Sequence, residues 1–317
     1  MIALSNIPTA VYKALIIFAT IIWGFSFVVM KNVIEVLPPA TLLGVRFTCA
    51  GLLLLVILFK RVRRECSWKV IGIGALLGLF DFLAFWLQTI GLQYTTPGIN
   101  AFLTATYCVI VPFAWWVIAR KRPSLCNVGA AIIAIIGIWL VSVTTAGETL
   151  TLGLGEGLTL GCALLFAIHI VLVSRFARNR DVLVLTVFQF IFEGIFGCIM
   201  GGLTETPPAL SAITPEIVGS MAFLIVFASV VAFGIQNVSL AYVPPAQASL
   251  FLSLESVFGV VFSIMFYGEV VTMRLLLGFT LIFGAILVNE LLAPRLEAKR
   301  AIVLTKRKKW KEDEPHV

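Results

Sequence analysis

Ten runs of mostly apolar residues, each close to the length that crosses a bilayer, fill this chain almost to residue 292. Their approximate bounds are 13–30, 40–59, 70–91, 98–118, 124–142, 157–174, 182–202, 217–238, 246–267 and 275–292, with charges, prolines or turn residues between them. A spanning helix needs about 20 such residues to cover about 30 Å of hydrocarbon. Within hydrocarbon every backbone N–H and C=O must be bonded inside the protein, which leaves helices and closed barrels. The runs lack the strict apolar–polar alternation of a barrel strand, so they predict an all-α integral membrane protein of ten transmembrane helices. Composition agrees: 60% of the 317 residues are hydrophobic, 12% are charged, and the mean hydropathy is +1.07, outside the range of a soluble globular domain.

The net charge of +7 raises nucleic acid as a partner, but its placement argues against one. Basic residues collect in KRVRRECSWK (60–69), RKR (120–122), RFARNR (175–180) and a tail from Arg295 to Lys311. With ten crossings and the amino terminus inside, all of these fall on one side, while the other side receives only Lys31 and Arg274. This positive-inside pattern predicts both termini in the cytoplasm and a multi-pass protein of the cytoplasmic (inner) membrane. The basic tail, 294–317, reads as an orientation signal beside anionic lipid headgroups, with regulation or partner binding as its other reading. No small-residue cleavage site follows the first apolar run, so that run is expected to stay as a first span. Cys49, Cys108, Cys162 and Cys198 fall inside spans, and Cys66 and Cys126 in or beside cytoplasmic segments. No cysteine pair has metal-ligand spacing, and no disulfide, metal or other cofactor is expected.

The chain says nearly the same thing twice. AFWLQTIGLQYTTP (84–97) overlays AFGIQNVSLAYVPP (232–245) without a gap, 148 residues later (232 − 84). At an offset of 143 (189 − 46), WGFSFVV (23–29) lies over FAIHIVL (166–172), Arg46-Phe47 over Gln189-Phe190, and Gly51 over Gly194. A duplication accounts for this order, giving repeats at 1–145 and 146–293. Each repeat holds five spans, an odd number, so the second must be inverted relative to the first. Two inverted halves supply two mirror-related tilts of similar energy, open to opposite sides of the membrane.

The patterns IIWGFSFVVMKN, RFTCAG, GLQYTTPGINAFLTATYCVIVP and LAYVPPAQASLFLSLESVFGVVFSIMFYGE resemble EamA-type transporters of the drug/metabolite transporter superfamily. The likeness covers nearly the whole chain except the basic tail. It implies ten helices and the export, or sometimes uptake, of small metabolites such as amino acids by alternating access. One departure is that ARKRP (119–123) stands where the second repeat has YGEVV (267–271). Opposite orientation explains it, since the first of these ends faces the cytoplasm.

Charges at membrane depth cost about 2.5–3.5 kcal/mol on insertion scales, so an ionisable residue there faces a cavity or a partner. Arg46 has two readings: a planar fork for a substrate carboxylate in a central cavity, or a structural pair with Asp81 or Glu193. Its counterpart Gln189 keeps hydrogen-bonding capacity without charge. Gln88, seven residues from Asp81 on one helix face, and its equivalent Gln236 are expected to point inward, as inter-helix ties or as substrate contacts. Asn100, Thr104 and Tyr107 form a comparable stripe, while Trp86, Tyr94, Tyr107 and Tyr242 are candidate aromatic walls or gates. Asp81, His169, Glu193 and Glu255 are the candidates for carrying a coupling proton. Small residues in GALLG (74–78), GEGLTLG (155–161) and GCIMG (197–201) are expected to allow close helix approach. Pro97, Pro112, Pro244 and Pro245 mark turns or kinks.

These features predict a secondary-active transporter, an exporter of small metabolites, working as a monomer or homodimer among membrane lipids. The chain has no nucleotide-binding domain, no His-Glu-x-x-His and no Gly-x-Ser-x-Gly, so neither direct ATP use nor enzymatic catalysis is expected. A membrane sensor or assembly factor that transports nothing is the alternative reading.

Overall fold

The structure is a computed structural model that describes residues 8–120, 123, 125–144, 151–177, 180–243 and 245–288. The basic tail, Lys121 and Arg122 of the RKR cluster, and the end of the predicted tenth span lie outside the described residues. In chain order the helices are α1 (Thr9–Val33), α2 (Pro39–Ile57), α3 (Phe59–Glu65), α4 (Trp68–Gln93), α5 (Pro97–Thr104), α6 (Tyr107–Ala119), α7 (Leu125–Ser142), α8 (Leu154–Ala177), α9 (Val182–Thr204), α10 (Pro215–Phe223), α11 (Ala232–Tyr242), α12 (Pro245–Leu252), α13 (Leu254–Phe262) and α14 (Met273–Leu287). A ribbon of two-residue strands, Val143–Thr144 against Thr151–Leu152, links α7 to α8.

Seven helical stretches are long and apolar enough to cross a membrane: 9–33, 39–57, 68–93, 97–118, 154–176, 182–204 and 215–242. Three shorter apolar helical stretches, 125–140, 254–267 and 273–285, coincide with the remaining predicted spans. The chain is therefore a helical, multi-pass membrane protein. Its outer surface carries Phe18, Val56, Trp116, Val117, Ile135 and Leu203 in exposed positions, which suit lipid rather than water.

Sequence sets where these helices begin. Ser67, Thr96, Thr214 and Thr272 each accept a hydrogen bond from the backbone N–H three residues on, and Asp181 accepts from Leu183 and Val184, which satisfies donors that a first turn leaves free. Proline at the opening of α2, α5 and α10 gives up an N–H that has no helical partner there. The start of α2 is completed from far away. Glu205, beyond α9, accepts from the Ala40 and Thr41 N–H groups at 2.8 and 2.7 Å and from the Thr41 hydroxyl at 2.7 Å.

Helices α2 and α9 pack side by side through small residues, as the GCIMG pattern predicts. A Cβ built on Gly197 would strike the backbone of Gly44, and one on Gly44 would strike Gly197 and Cys198. Gly74 and Gly78 of GALLG bring α4 equally close to Phe188, Gln189 and Phe192 of α9. Gly197→Val is accordingly expected to destabilise the protein by about 1–3 kcal/mol, the usual penalty of overpacking, read as a lower unfolding midpoint in detergent.

Three predicted spans are not the continuous helices that their hydropathy suggests. The fourth breaks after Thr104 and the ninth after Leu252, positions 148 residues apart. Hydroxyls near both breaks bond backbone carbonyls instead of leaving them to the helix ladder: Thr106 to Leu103 O at 2.6 Å and Ser256 to Ser253 O at 2.7 Å. Pro112 removes a further donor from α6. In the eighth span, 224–231 winds as a wide π turn, and the Ser229 hydroxyl donates to Leu224 O at 3.0 Å.

The packing of the spans has a pattern. α2 lies on α9, and α7 on α14; α4 packs on α8 as α1 packs on α11, and α6 on α8 as α1 on α12 and α13. Exchanging the first five spans for the last five leaves this set of neighbours unchanged.

Candidate functional site

A narrow cavity of about 40 Å³ lies at the centre of the bundle, walled by α1, α4, α5, α6, α8, α11 and α13. By the ~10–15 Å³ that one water needs, it has room for about three waters in this conformation. Ten of its lining residues form pairs at the offsets read from the sequence. Trp23 and Phe166, and Phe27 and Ile170, are 143 apart; Phe85 and Phe233, Gln88 and Gln236, and Tyr107 and Glu255 are 148 apart. Ser26 and Thr104 complete the wall.

Polar groups in and beside this wall are held by specific partners. The Gln88 amide donates to the Thr104 hydroxyl at 3.0 Å, and Asn100 donates to Gln88 O at 3.2 Å and to the Thr159 hydroxyl at 2.8 Å. Glu255 and Tyr107 are hydrogen-bonded side chain to side chain. Trp23 Nε1 donates to Ala228 O at 2.8 Å, within the π turn. The cavity thus offers two amides, one carboxyl and one phenol among aromatic rings, a composition suited to a small solute with both polar and apolar parts.

A second polar cluster is fully buried beside the cavity. Arg46, 1% exposed, donates from Nε to the Ser229 hydroxyl at 2.8 Å, and its guanidinium lies 4.7 and 5.0 Å from the ring centres of Phe47 and Phe85. Gln189 donates to Asp81 Oδ2 at 2.7 Å, Asn237 donates to Gln189 Oε1 at 3.3 Å, and His169 Nδ1 is 3.6 Å from Asp81 Oδ1. Asp81 and Glu193 stand within hydrogen-bonding reach of each other. Both Glu193 oxygens, Asp81 Oδ1 and Arg46 Nη2 have no hydrogen-bond partner, so the guanidinium and the two acids share one buried space without direct bonds. Here too the offsets recur: the bond from Arg46 to Ser229 maps onto the bond from Gln189 to Asp81, since 189 − 46 is 143 and 229 − 81 is 148.

Of the residues singled out in the sequence, Gln88, Tyr107, Gln236 and Glu255 line the cavity, and Asn100 braces its wall. Arg46, Asp81, His169, Gln189 and Glu193 form the buried cluster and are not among the lining residues. Three aromatics lie elsewhere. Trp86 stacks on Phe82 at 6.1 Å, Tyr242 stacks on Tyr12 at 4.8 Å near the ends of α1 and α11, and Tyr94 caps α4, 59% exposed.

Sequence reasoning did not single out Trp23, Phe85, Phe166 or Phe233 as site residues, although the overlay contained the signal: Trp23 lies over Phe166 and Phe85 over Phe233. It also missed a clasp at the end of the bundle where α4 meets α5. Lys31 there donates to the Leu92 and Thr95 carbonyls at 2.5 and 2.9 Å and lies 5.9 Å over the Tyr267 ring, placing a cation at a helix carbonyl end. Glu269 accepts from the Thr96 hydroxyl, Gly98 N–H and Ser263 hydroxyl at 2.6, 3.1 and 2.5 Å. The clasp ties the α4–α5 turn to the α13–α14 turn. Nothing in local sequence joins residues this far apart.

Comparison with known proteins agrees with this architecture. The model of the EamA-like transporter family matches residues 12–143 and again 153–290. An uncharacterized transporter of Archaeoglobus fulgidus is 28% identical over 271 residues, covering 86% of this chain and 83% of the relative. The uncharacterized transporter YvbV of Bacillus subtilis (strain 168) is 28% identical over 293 residues, covering 90% and 94%. A solved crystal structure shares the fold with a TM-score of 0.67 at 18% identity, over 90% of this chain and 98% of that one. With both halves matched by the family model, the chain belongs to the EamA-like transporter family.

Proposed function

We propose that the protein is a secondary-active exporter that moves small amphipathic metabolites, such as amino acids, across the cytoplasmic membrane by alternating access. Seven long and three shorter apolar helices make ten crossings with both termini inside, arranged as two inverted repeats of five. The single observation that carries this reading is the pairing of the cavity wall: ten of its residues are five pairs of repeat equivalents. A surface shared equally by two inverted halves lies on their axis, so a tilt of either half opens it to one side. The ties made by Lys31 and Glu269 hold helix ends together on the outer side and are the contacts that part when that side opens. Gln88 and Gln236 contact the polar part of the solute and the aromatic pairs its apolar part, while Glu255 exchanges a proton during the cycle.

Flux in proteoliposomes against a panel of amino acids and related solutes tests this directly. Gln88→Ala and Gln236→Ala are each expected to reduce it about fivefold, the effect of one lost hydrogen bond of ~1 kcal/mol. Flux unchanged by both substitutions overturns the cavity as the transport site. Topology has its own test. Native Cys66, exposed between α3 and α4, is expected to resist an impermeant maleimide in intact cells, whereas a cysteine replacing exposed Leu210 is labelled. The opposite pattern reverses the orientation.

A further inference from the structure

A groove of about 500 Å³ runs along the outside of the bundle between α4, α6 and α8. Its volume is within the ~300–1,000 Å³ of small-ligand sites, yet its walls are wholly apolar: Leu76 and Phe80 on α4, Ala114 and Ile118 on α6, Ile168 and Leu172 on α8. It is separate from the central cavity, which meets α8 through Phe166 and Ile170.

Two observations mark the groove as more than a gap between helices. The first is that the corresponding place in the other half of the molecule carries a cluster of aromatic rings. There Phe25 packs edge-on against Phe223, Phe262 and Phe266 at 5.3, 5.4 and 5.6 Å. At the repeat offsets these four rings become Ile168, Ala75, Ala114 and Ile118, and where the rings are missing the groove is open. The second is charge at one end. Each wall finishes in an exposed cation on the same side: Lys69 in the first turn of α4, Arg120 just past α6, and Arg175 in the last turn of α8. Arg175 reaches the groove itself, its Nη1 donating to Ile118 O at 3.1 Å.

We propose that this groove seats an acyl chain of an anionic phospholipid, with the lipid phosphate held by Arg175 and attracted by Lys69 and Arg120. The apolar walls accept the chain and give no headgroup preference. Arg175 supplies one, because a guanidinium pairs with phosphate through two parallel hydrogen bonds and each basic residue near the surface adds about 1 kcal/mol of attraction for anionic lipid. The comparison of the two halves rests on the duplication proposed above; the binding itself does not depend on transport.

Native mass spectrometry of the detergent-purified full chain, with phosphatidylglycerol or phosphatidylcholine added, tests the proposal. The wild type is expected to retain phosphatidylglycerol in preference to phosphatidylcholine. Ala114→Phe with Ile118→Phe restores rings found in the other half and should remove the retained lipid; Ile168→Trp fills the groove from α8 and serves if the double variant fails to keep the wild-type unfolding midpoint. Arg175→Gln should reduce the phosphatidylglycerol preference about tenfold, as expected for one charged hydrogen-bond donor, with phosphatidylcholine retention unchanged. Equal retention by the wild type and the folded groove-filling variant overturns the site, and a headgroup preference unaffected by Arg175→Gln overturns the role of Arg175. Because no flux is measured, a chain that moved no metabolite would leave this result standing.

Discussion

Arg46→Met is expected to be the most damaging single substitution in the membrane core, lowering stability by about 3–5 kcal/mol, the cost of leaving a buried charge without its partner. Arg46 is the cation nearest both Asp81 and Glu193 inside a fully buried cluster. The decisive measurement is a cycle in thermal unfolding. Adding Glu193→Gln to Arg46→Met removes one of the two opposing acids and should return part of the lost stability, a non-additivity of the kind coupled neighbours show. The same cycle separates the two roles that the sequence leaves open. If Arg46→Met folds with an unchanged midpoint and loses only flux, the guanidinium serves a substrate carboxylate and not the buried acids.

Glu255→Gln should abolish the pH dependence of flux while leaving the cavity's shape intact, since the amide is nearly isosteric with the acid. The proposal assigns the proton to Glu255 because it is the one carboxyl among the residues lining the cavity, where a solute and a proton can compete for the same space. Tyr107→Phe removes its hydrogen-bond partner but keeps the acid, so it should move the midpoint of the pH profile and not flatten it. A steep profile that survives Glu255→Gln transfers the proton to the Asp81–Glu193 pair, and Asp81→Asn is then the variant that flattens it.

Much of the architecture is written in the sequence because its physics is local. A run of about 20 apolar residues is a span wherever it lies, and Ser67, Thr96, Asp181, Thr214 and Thr272 mark helix starts by bonding N–H groups two or three residues away. The overlay of 84–97 on 232–245 gave Gln88 and Gln236 as a pair, and the structure brings both into one wall. GCIMG reads as a close contact because small residues four apart can do little else within a membrane helix.

What the sequence did not determine is which inward polar groups share a space. Arg46, Gln88 and Glu255 all read as inward-facing, but only contacts between helices distant in the chain separate a buried cluster around Arg46 from a cavity lined by Gln88 and Glu255. The clasp of Lys31 on the α4 carbonyls and Glu205 on the start of α2 are likewise tertiary. Hydropathy reports the free energy of moving a segment into lipid, one segment at a time, and is indifferent to partners. Helix rotation, pairing and the placing of a cavity depend instead on packing and hydrogen bonds between segments, and those are fixed only when the whole bundle is assembled.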